Sequence, residues 1–454
     1  MENNKMSRRS FFGNAAVLTV GAGAVVSACA GEGKGEAAAI KNTPLPQLAN
    51  AYIPELPDKA ADGATIKCGV IGCGGRGSGA AFDFLNAADN VTITALGDVF
   101  ADRLNGLREN LKKNKNIDIP DDKCFLGFDA YKKVIDTDVD VVILATPPGF
   151  RPEHFRYAVE KGKHSFLEKP ILVDPAGYRT VIAASKQADA KKLCVVTGTQ
   201  RRHQRSYVES FKQIQAGVIG EITGGNVYWN QSMLWYRERN KEWSDMEWMI
   251  RDWVNWTWLS GDHIVEQHVH NIDVFNWMTG KKCVKATGFG SRQRRITGNQ
   301  YDFFSVDFEY EGGIHMHSMS RQIDGCSNNV SEFIQGTKGS WSSADMTIRD
   351  LQGNVIWKYD GEAEGKQYKQ TNPYVLEHVD LINHIRAKKP LNEAEATANS
   401  TLCGIMGRES AYTGKTVTWD EMSASPQNMI PETLELGKMD MEKYSVIPVP
   451  GTGR

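Results

Sequence analysis

The 454-residue chain has no C-x-x-C pair among its eight cysteines, no excess of charge of either sign, and no apolar run long enough to cross a bilayer. Each absence removes a class of answer. Leaving Cys29 aside, Cys68, Cys73, Cys124, Cys194, Cys283, Cys326 and Cys403 are scattered and odd in number, which indicates neither a disulfide framework nor a zinc knuckle. With 53 Lys and Arg against 55 Asp and Glu, the formal net charge is −2. Such a balance offers no clustered cations for a phosphate backbone, so nucleic acid is not an expected partner. The early apolar stretch from Ala15 to Val26 falls short of the roughly 20 residues a spanning helix needs, and no later stretch resembles one. What remains, 41% hydrophobic and 24% charged residues with no internal repeat, is ordinary globular composition with length for two or three domains.

The first residues carry an address. Ser7-Arg8-Arg9-Ser10-Phe11-Phe12 precedes the apolar stretch, and Val26-Ser27-Ala28-Cys29 closes it. A charged segment, a short apolar segment and a small-residue cleavage site make an export signal, and the paired arginines resemble the twin-arginine kind. The closing tetrapeptide resembles a lipobox. Residues 1–28 are therefore expected to be removed, leaving Cys29 lipidated and the protein extracytoplasmic, periplasmic in a two-membrane cell, touching membrane only through its acyl chains. Removing residues 1–28 takes away a net +2, so the mature chain sits near −4. Residues 29–64 are small, polar and proline-containing without a sustained period, and read as a tether.

Chemistry starts at Ile66-Lys67-Cys68-Gly69-Val70-Ile71, an apolar strand running directly into Gly72-Cys73-Gly74-Gly75-Arg76-Gly77 and a helical stretch from Ser78 to Leu85. In such a strand, turn and helix, Gly72 permits the turn, Gly74 lets backbone approach a pyrophosphate and Gly77 lets the helix pack closely. The next strand ends in Asp98, about 20 residues on, where a carboxylate can accept from the ribose 2′-hydroxyl of NAD and repel the 2′-phosphate of NADP. A further apolar strand over 139–145 leads into Thr146 and Pro147, then a helix from Glu153 to Lys161, then Ser165-Phe166-Leu167 and Glu168-Lys169-Pro170. Near-continuous apolar strands alternating with helices predict a doubly wound parallel sheet, with ligand bound beyond the strands' carboxyl ends.

At Glu168-Lys169-Pro170 the chain resembles the Gfo/Idh/MocA oxidoreductases over about residues 65–420. GCGGRG, Asp98, the ATPPGFRPEH segment ending in His154, the EKP tripeptide, the basic pair Arg201 and Arg202, GVIGEI at 217–222 and a His-containing helix over 262–277 follow in the family's order. The resemblance implies a Rossmann domain over 65–197, then an α/β domain over 198–422 with a large, mostly antiparallel open sheet, and a tail over 423–454 wrapping back. It also implies a homo-oligomer, dimer or tetramer. Cofactor contacts fall on Gly72, Gly74, Arg76, Gly77, Asp98, Thr146, Pro147, His154, Glu168 and Lys169. In the family the EKP lysine lies near nicotinamide and substrate hydroxyl, and a D-x-x-x-H pair completes the catalytic group. Here His270 matches the histidine, Glu266 stands where aspartate is usual, and His268 stands where glycine is frequent. Helical spacing would put Glu266 and His270 on one face with Asp273 adjoining.

Oxidising a secondary alcohol needs a proton acceptor and a hydride acceptor. His270 is assigned the first role, Lys169 orients and polarises the oxygen, and Glu266 partners either. Arg202, Trp253, Trp256, His268 and Asp273 are expected on the substrate side. Eight of the eleven tryptophans fall between Trp229 and Trp277, including Trp258, and flat aromatic faces suit sugar rings. No metal is expected: residues two apart on a helix diverge by about 200°, so His268 and His270 do not share an ion, and His315 with His317 fits a half-exposed strand equally well. An exported NAD enzyme has no free pool to draw on, but a folded protein can carry its cofactor out tightly bound. Three functions follow: an oxidoreductase acting on a sugar or glycoside ring hydroxyl, a redox-neutral NAD-dependent glycosidase of the α-N-acetylgalactosaminidase kind, and a non-catalytic sugar-binding relative.

Overall fold

The computed structural model describes residues 42–452. The export signal and Cys29 lie outside them. Strands β1 (Ile66–Ile71), β2 (Val91–Asp98), β3 (Cys124–Leu126), β4 (Val141–Leu144), β5 (His164–Leu167) and β6 (Val195–Thr197) form one sheet in the order β3-β2-β1-β4-β5-β6, every pair parallel. All four side chains of β4 are buried, as a strand covered by helices on both faces requires. The chain reverses direction across the sheet between β1 and β4, and the crevice beyond their carboxyl ends is where such sheets take ligands.

The second sheet holds nine strands: β7 (Ile222–Gln231), β8 (Cys283–Ser291), β9 (Phe303–Tyr310), β10 (Ile314–Gln322), β11 (Asn329–Gly336), β12 (Gly339–Ser342), β13 (Thr347–Asp350), β14 (Val355–Lys358) and β15 (Val417–Thr418). Their order is β14-β13-β12-β11-β7-β10-β9-β8-β15. Only β7 and β10 run parallel; the other pairs are antiparallel. Along β10, Ile314, Met316, Ser318, Ser320 and Gln322 face inward while His315, His317 and Met319 face out, the two-residue alternation of a sheet with one covered face. Helices Val269–Thr279 and Ala394–Thr413 cover the inner face.

Two segments differ from the reading of the sequence. From residue 42 the stretch taken as tether packs on the domain: Leu45, Leu48 and Leu56 are buried, and Leu45 N–H donates to the Gln215 carbonyl at 2.9 Å. The three leucines join the main core at irregular spacing, so no period betrays them. The helix expected over 262–277 is broken into His263–Glu266 and Val269–Thr279. Lys169 Nζ donates to the Glu266 carbonyl at 2.6 Å, and His270 N–H, which would bond that carbonyl in an unbroken helix, donates to Gln267 instead at 3.3 Å. Glu266 and His270 therefore sit on consecutive short helices rather than one face of a single helix.

Candidate active site

The glycine turn is built to be approached. Gly72 sits at φ +91°, and a side chain there would strike the Thr146 amide at 2.6 Å. A Cβ on Gly77 would lie 1.7 Å from the Gly72 carbonyl, so the helix Gly75–Ala87 can meet β1 only with glycine at that place. Above Gly74 there is open space, and the helix presents its N-terminal amides to it. Asp98 accepts from Cys73 N–H at 2.6 Å and Phe100 N–H at 2.8 Å, which ties the end of β2 to the turn. Burial raises its carboxyl above the usual value while those two amides oppose the rise.

A cavity of about 650 Å³ opens over this turn, lined by Gly72, Gly74, Arg76, Asp98, Thr146, Pro147 and His154 among others. Thr146 Oγ1 lies 3.2 Å from His154 Nδ1, and the His154 ring stacks on Tyr131 with centroids 4.1 Å apart. Burial, reinforced by Arg151, lowers His154 to about 3, so it is a neutral wall. These residues fit a dinucleotide: the glycines leave the cradle a pyrophosphate needs, and a carboxylate waits at the ribose end.

Past Arg76 the crevice turns polar. Arg76 pairs with Glu168 through Nε, and its other nitrogens reach Asp83 at 3.2 Å and Glu377 at 3.4 Å. Arg151, buried, donates to the carbonyls of Glu168 at 2.8 Å and Pro170 at 2.7 Å, holding the EKP loop from behind. Lys169 then projects to Glu266, bonding its carboxylate at 2.9 Å as well as its carbonyl. His270 is buried, its ring stacked on Trp229 at 5.6 Å, and neither His270 Nδ1 nor Trp229 Nε1 has a partner among the described residues. Burial, then the charges of Lys169, Arg201 and Arg76, hold the imidazole well below its usual value, so it is neutral at physiological pH. None of Lys169, Glu266 and His270 lines the 650 Å³ cavity; Arg76 borders it and joins the two regions through Glu168.

The residues expected on the substrate side are divided. Trp253 lines the cavity, whereas Trp256 and Trp258 are buried in a second apolar cluster with Met246 and Met249. Arg202 and Asp273 hold each other in two bonds of 2.8 Å, with Ser400 also donating to Asp273. His268 is wholly buried, 2.6 Å from Ser318 Oγ and 3.2 Å from Asn271 Oδ1, and turned toward β10. In this conformation Trp256 is committed to packing in the apolar cluster, Arg202 and Asp273 to each other, and His268 to Ser318 and Asn271 beneath the sheet. Arg201, Trp229 and Glu332 stand at the site in their place: Glu332 pairs with Arg201 and accepts from Asn271 at 2.6 Å and Tyr207 at 3.0 Å, and Arg201 lies 5.5 Å over Trp229. Arg201 belonged to the basic pair in sequence; Glu332 had no signal, since β11 was not read as a strand. Among the described residues no group of three or more His, Cys, Asp or Glu could hold a metal, and no helix is long and apolar enough to cross a membrane.

This arrangement, a glycine cradle on a parallel sheet beside an amine and an imidazole, is that of an NAD-binding oxidoreductase. Residues 66–197 match the oxidoreductase family with an NAD-binding Rossmann fold, and residues 208–342 match the GFO/IDH/MocA C-terminal domain. The chain belongs to the Gfo/Idh/MocA family. A glycosyl hydrolase family 109 protein of Streptomyces coelicolor is 27% identical over 36% of this chain, a match covering 33% of that protein. The NAD-dependent scyllo-inositol 2-dehydrogenase of Bacillus subtilis is 22% identical over 61% of this chain and 72% of its own. The fold is also that of scyllo-inositol dehydrogenase from Lactobacillus casei, solved with NAD(H) and scyllo-inositol, at a TM-score of 0.59 and 20% identity over 78% of this chain and 99% of that one.

Proposed function

We propose that the protein is an NAD-dependent oxidoreductase acting on a ring hydroxyl of a sugar, glycoside or related polyol, with its cofactor tightly held. The observation that carries this reading is the pairing of the glycine cradle with a neutral, buried His270 whose Nδ1 has no partner among the described residues and an ammonium, Lys169, fixed by Glu266. A bound nicotinamide would supply the hydride acceptor. His270 would take the hydroxyl proton as the C–H bond breaks, being already unprotonated. Lys169 keeps a hydrogen free after its two bonds to Glu266 and would hold the substrate oxygen with it. Arg151 fixes the loop that presents Lys169 and so sets the distance between amine and cofactor face. Asp98 supports NAD over NADP, because a carboxylate repels a 2′-phosphate. Trp253, at the cavity wall, offers an aromatic surface to a bound ring, while Trp229 backs the His270 imidazole.

The match to a family 109 glycosyl hydrolase supports a second reading, in which the oxidation is transient and a glycosidic bond is cleaved with no net redox change. Incubating the protein, carrying its own nucleotide, with a panel of glycosides and cyclitols and weighing the products separates the readings. A ketone two mass units lighter marks oxidation, and free sugar with released aglycone marks cleavage. No product from any member would leave a binding protein and end both. Export by the twin-arginine route, lipidation of Cys29, an extracytoplasmic home and assembly as a homo-oligomer remain part of the proposal. Their support is the sequence pattern at 1–29 and the family resemblance.

A further inference from the structure

The far wall of the 650 Å³ cavity does not come from the Rossmann sheet. It is made by Trp235, Arg237, Arg251 and Trp253, which follow β7, and by Ile430 and Leu434 of the C-terminal tail. Both segments are fastened to the nucleotide half, the first of them at its ribose end. Arg251 donates to both oxygens of Asp102, at 3.1 and 3.0 Å, and its guanidinium lies 3.9 Å over the Phe100 ring. Phe100 in turn gives its amide to Asp98 at 2.8 Å. The tail is stitched at two points flanking the cavity: Met429 N–H to Asp174 at 2.7 Å on one side, and Met439 N–H to Asp245 at 3.0 Å on the other. Trp235 and Trp253 meet edge to face at 6.1 Å, leaving aromatic surface toward the cavity.

We infer that these two segments form the outer wall of an adenosine site, closing over the adenine and ribose of the dinucleotide so that its release requires Arg251 to part from Asp102. The inference rests on the dinucleotide reading above and adds the groups that retain it. An aromatic pair offers a base a stacking surface, and an ion pair spanning the two halves of the site couples ligand departure to separation of the walls. Trp253 thus faces the adenosine end rather than a sugar.

The test uses the full mature chain with two probes, NADH and ADP-ribose, the second lacking the nicotinamide. NADH is loaded, chased with excess NAD, and its loss followed by fluorescence; ADP-ribose affinity is measured by calorimetry. Trp253→Ala is expected to speed NADH release at least tenfold and to weaken ADP-ribose by a similar factor. Asp102→Asn, at a side chain 57% exposed and so harmless to the core, is expected to speed release several-fold. If both variants release NADH and bind ADP-ribose as the wild type does, the wall is idle and the inference falls while the dinucleotide reading stands. If the wild type binds neither probe, both fall.

Discussion

Replacing His268 with glutamine should remove a measurable part of the protein's acid sensitivity. His268 is wholly buried against β10, and burial lowers it from 6.5 to about 3. The unfolded chain takes up this proton near pH 6.5 and the native chain only near pH 3. Between those values the unfolded state binds more protons, so stability rises with pH and is lost as pH falls. Each unit is worth about 1.4 kcal/mol, which makes the loss from this one ring about 2 kcal/mol between pH 7.5 and pH 5. Glutamine can bond Ser318 and Asn271 without titrating. Urea unfolding of wild type and His268→Gln at the two pH values gives the difference of differences, in which groups of opposite sign, such as His384 raised by its bond to Asp380, cancel. The variant should lose about 2 kcal/mol less than the wild type on acidification. Equal losses in the two proteins would refute the argument that this ring is held neutral by burial.

Other consequences concern the site itself. Lys169→Met and His270→Ala should each lower kcat by about 10²–10⁴ in the product assay while NADH still binds, since both act on the reacting oxygen rather than the adenosine end. Full activity in both would end the assignment. Gly77→Ala should abolish NADH binding measured by fluorescence, because its methyl would meet the Gly72 carbonyl at 1.7 Å and push the helix off the turn. Asp98→Asn should narrow the preference for NADH over NADPH, read as the ratio of dissociation constants, by removing the charge that repels a 2′-phosphate.

How far the sequence could be read depended on whether each signal was local. The strand Ile66–Ile71, its glycine turn and Asp98 were legible because the contacts that define them lie within a few tens of residues. His315 and His317 pointed to a half-exposed strand, and β10 alternates along its length, while β11, with its irregular burial, and the four-residue β12 to β14 gave no period to read. The His segment was misjudged as one helix because the residue that breaks it, Lys169, lies 97 positions away. Tryptophan clustering in sequence did not separate Trp253, at the cavity, from Trp256 and Trp258, in the core.

By itself the amino-acid order determined the backbone chemistry of the cradle: where glycine is obligatory, where a carboxylate ends β2, and which lysine follows Glu168. Those features depend on φ, on hydrogen bonds between near neighbours and on spacing, all local quantities. Only the tertiary structure decided which charged groups are spent on one another and which are left for a ligand. Arg202 and Asp273 neutralise each other, His268 is shut beneath β10, and among the described residues His270 Nδ1 and Trp229 Nε1 keep no partner. Desolvation and pairing of distant side chains set that division, and neither is a property of residues close together along the chain.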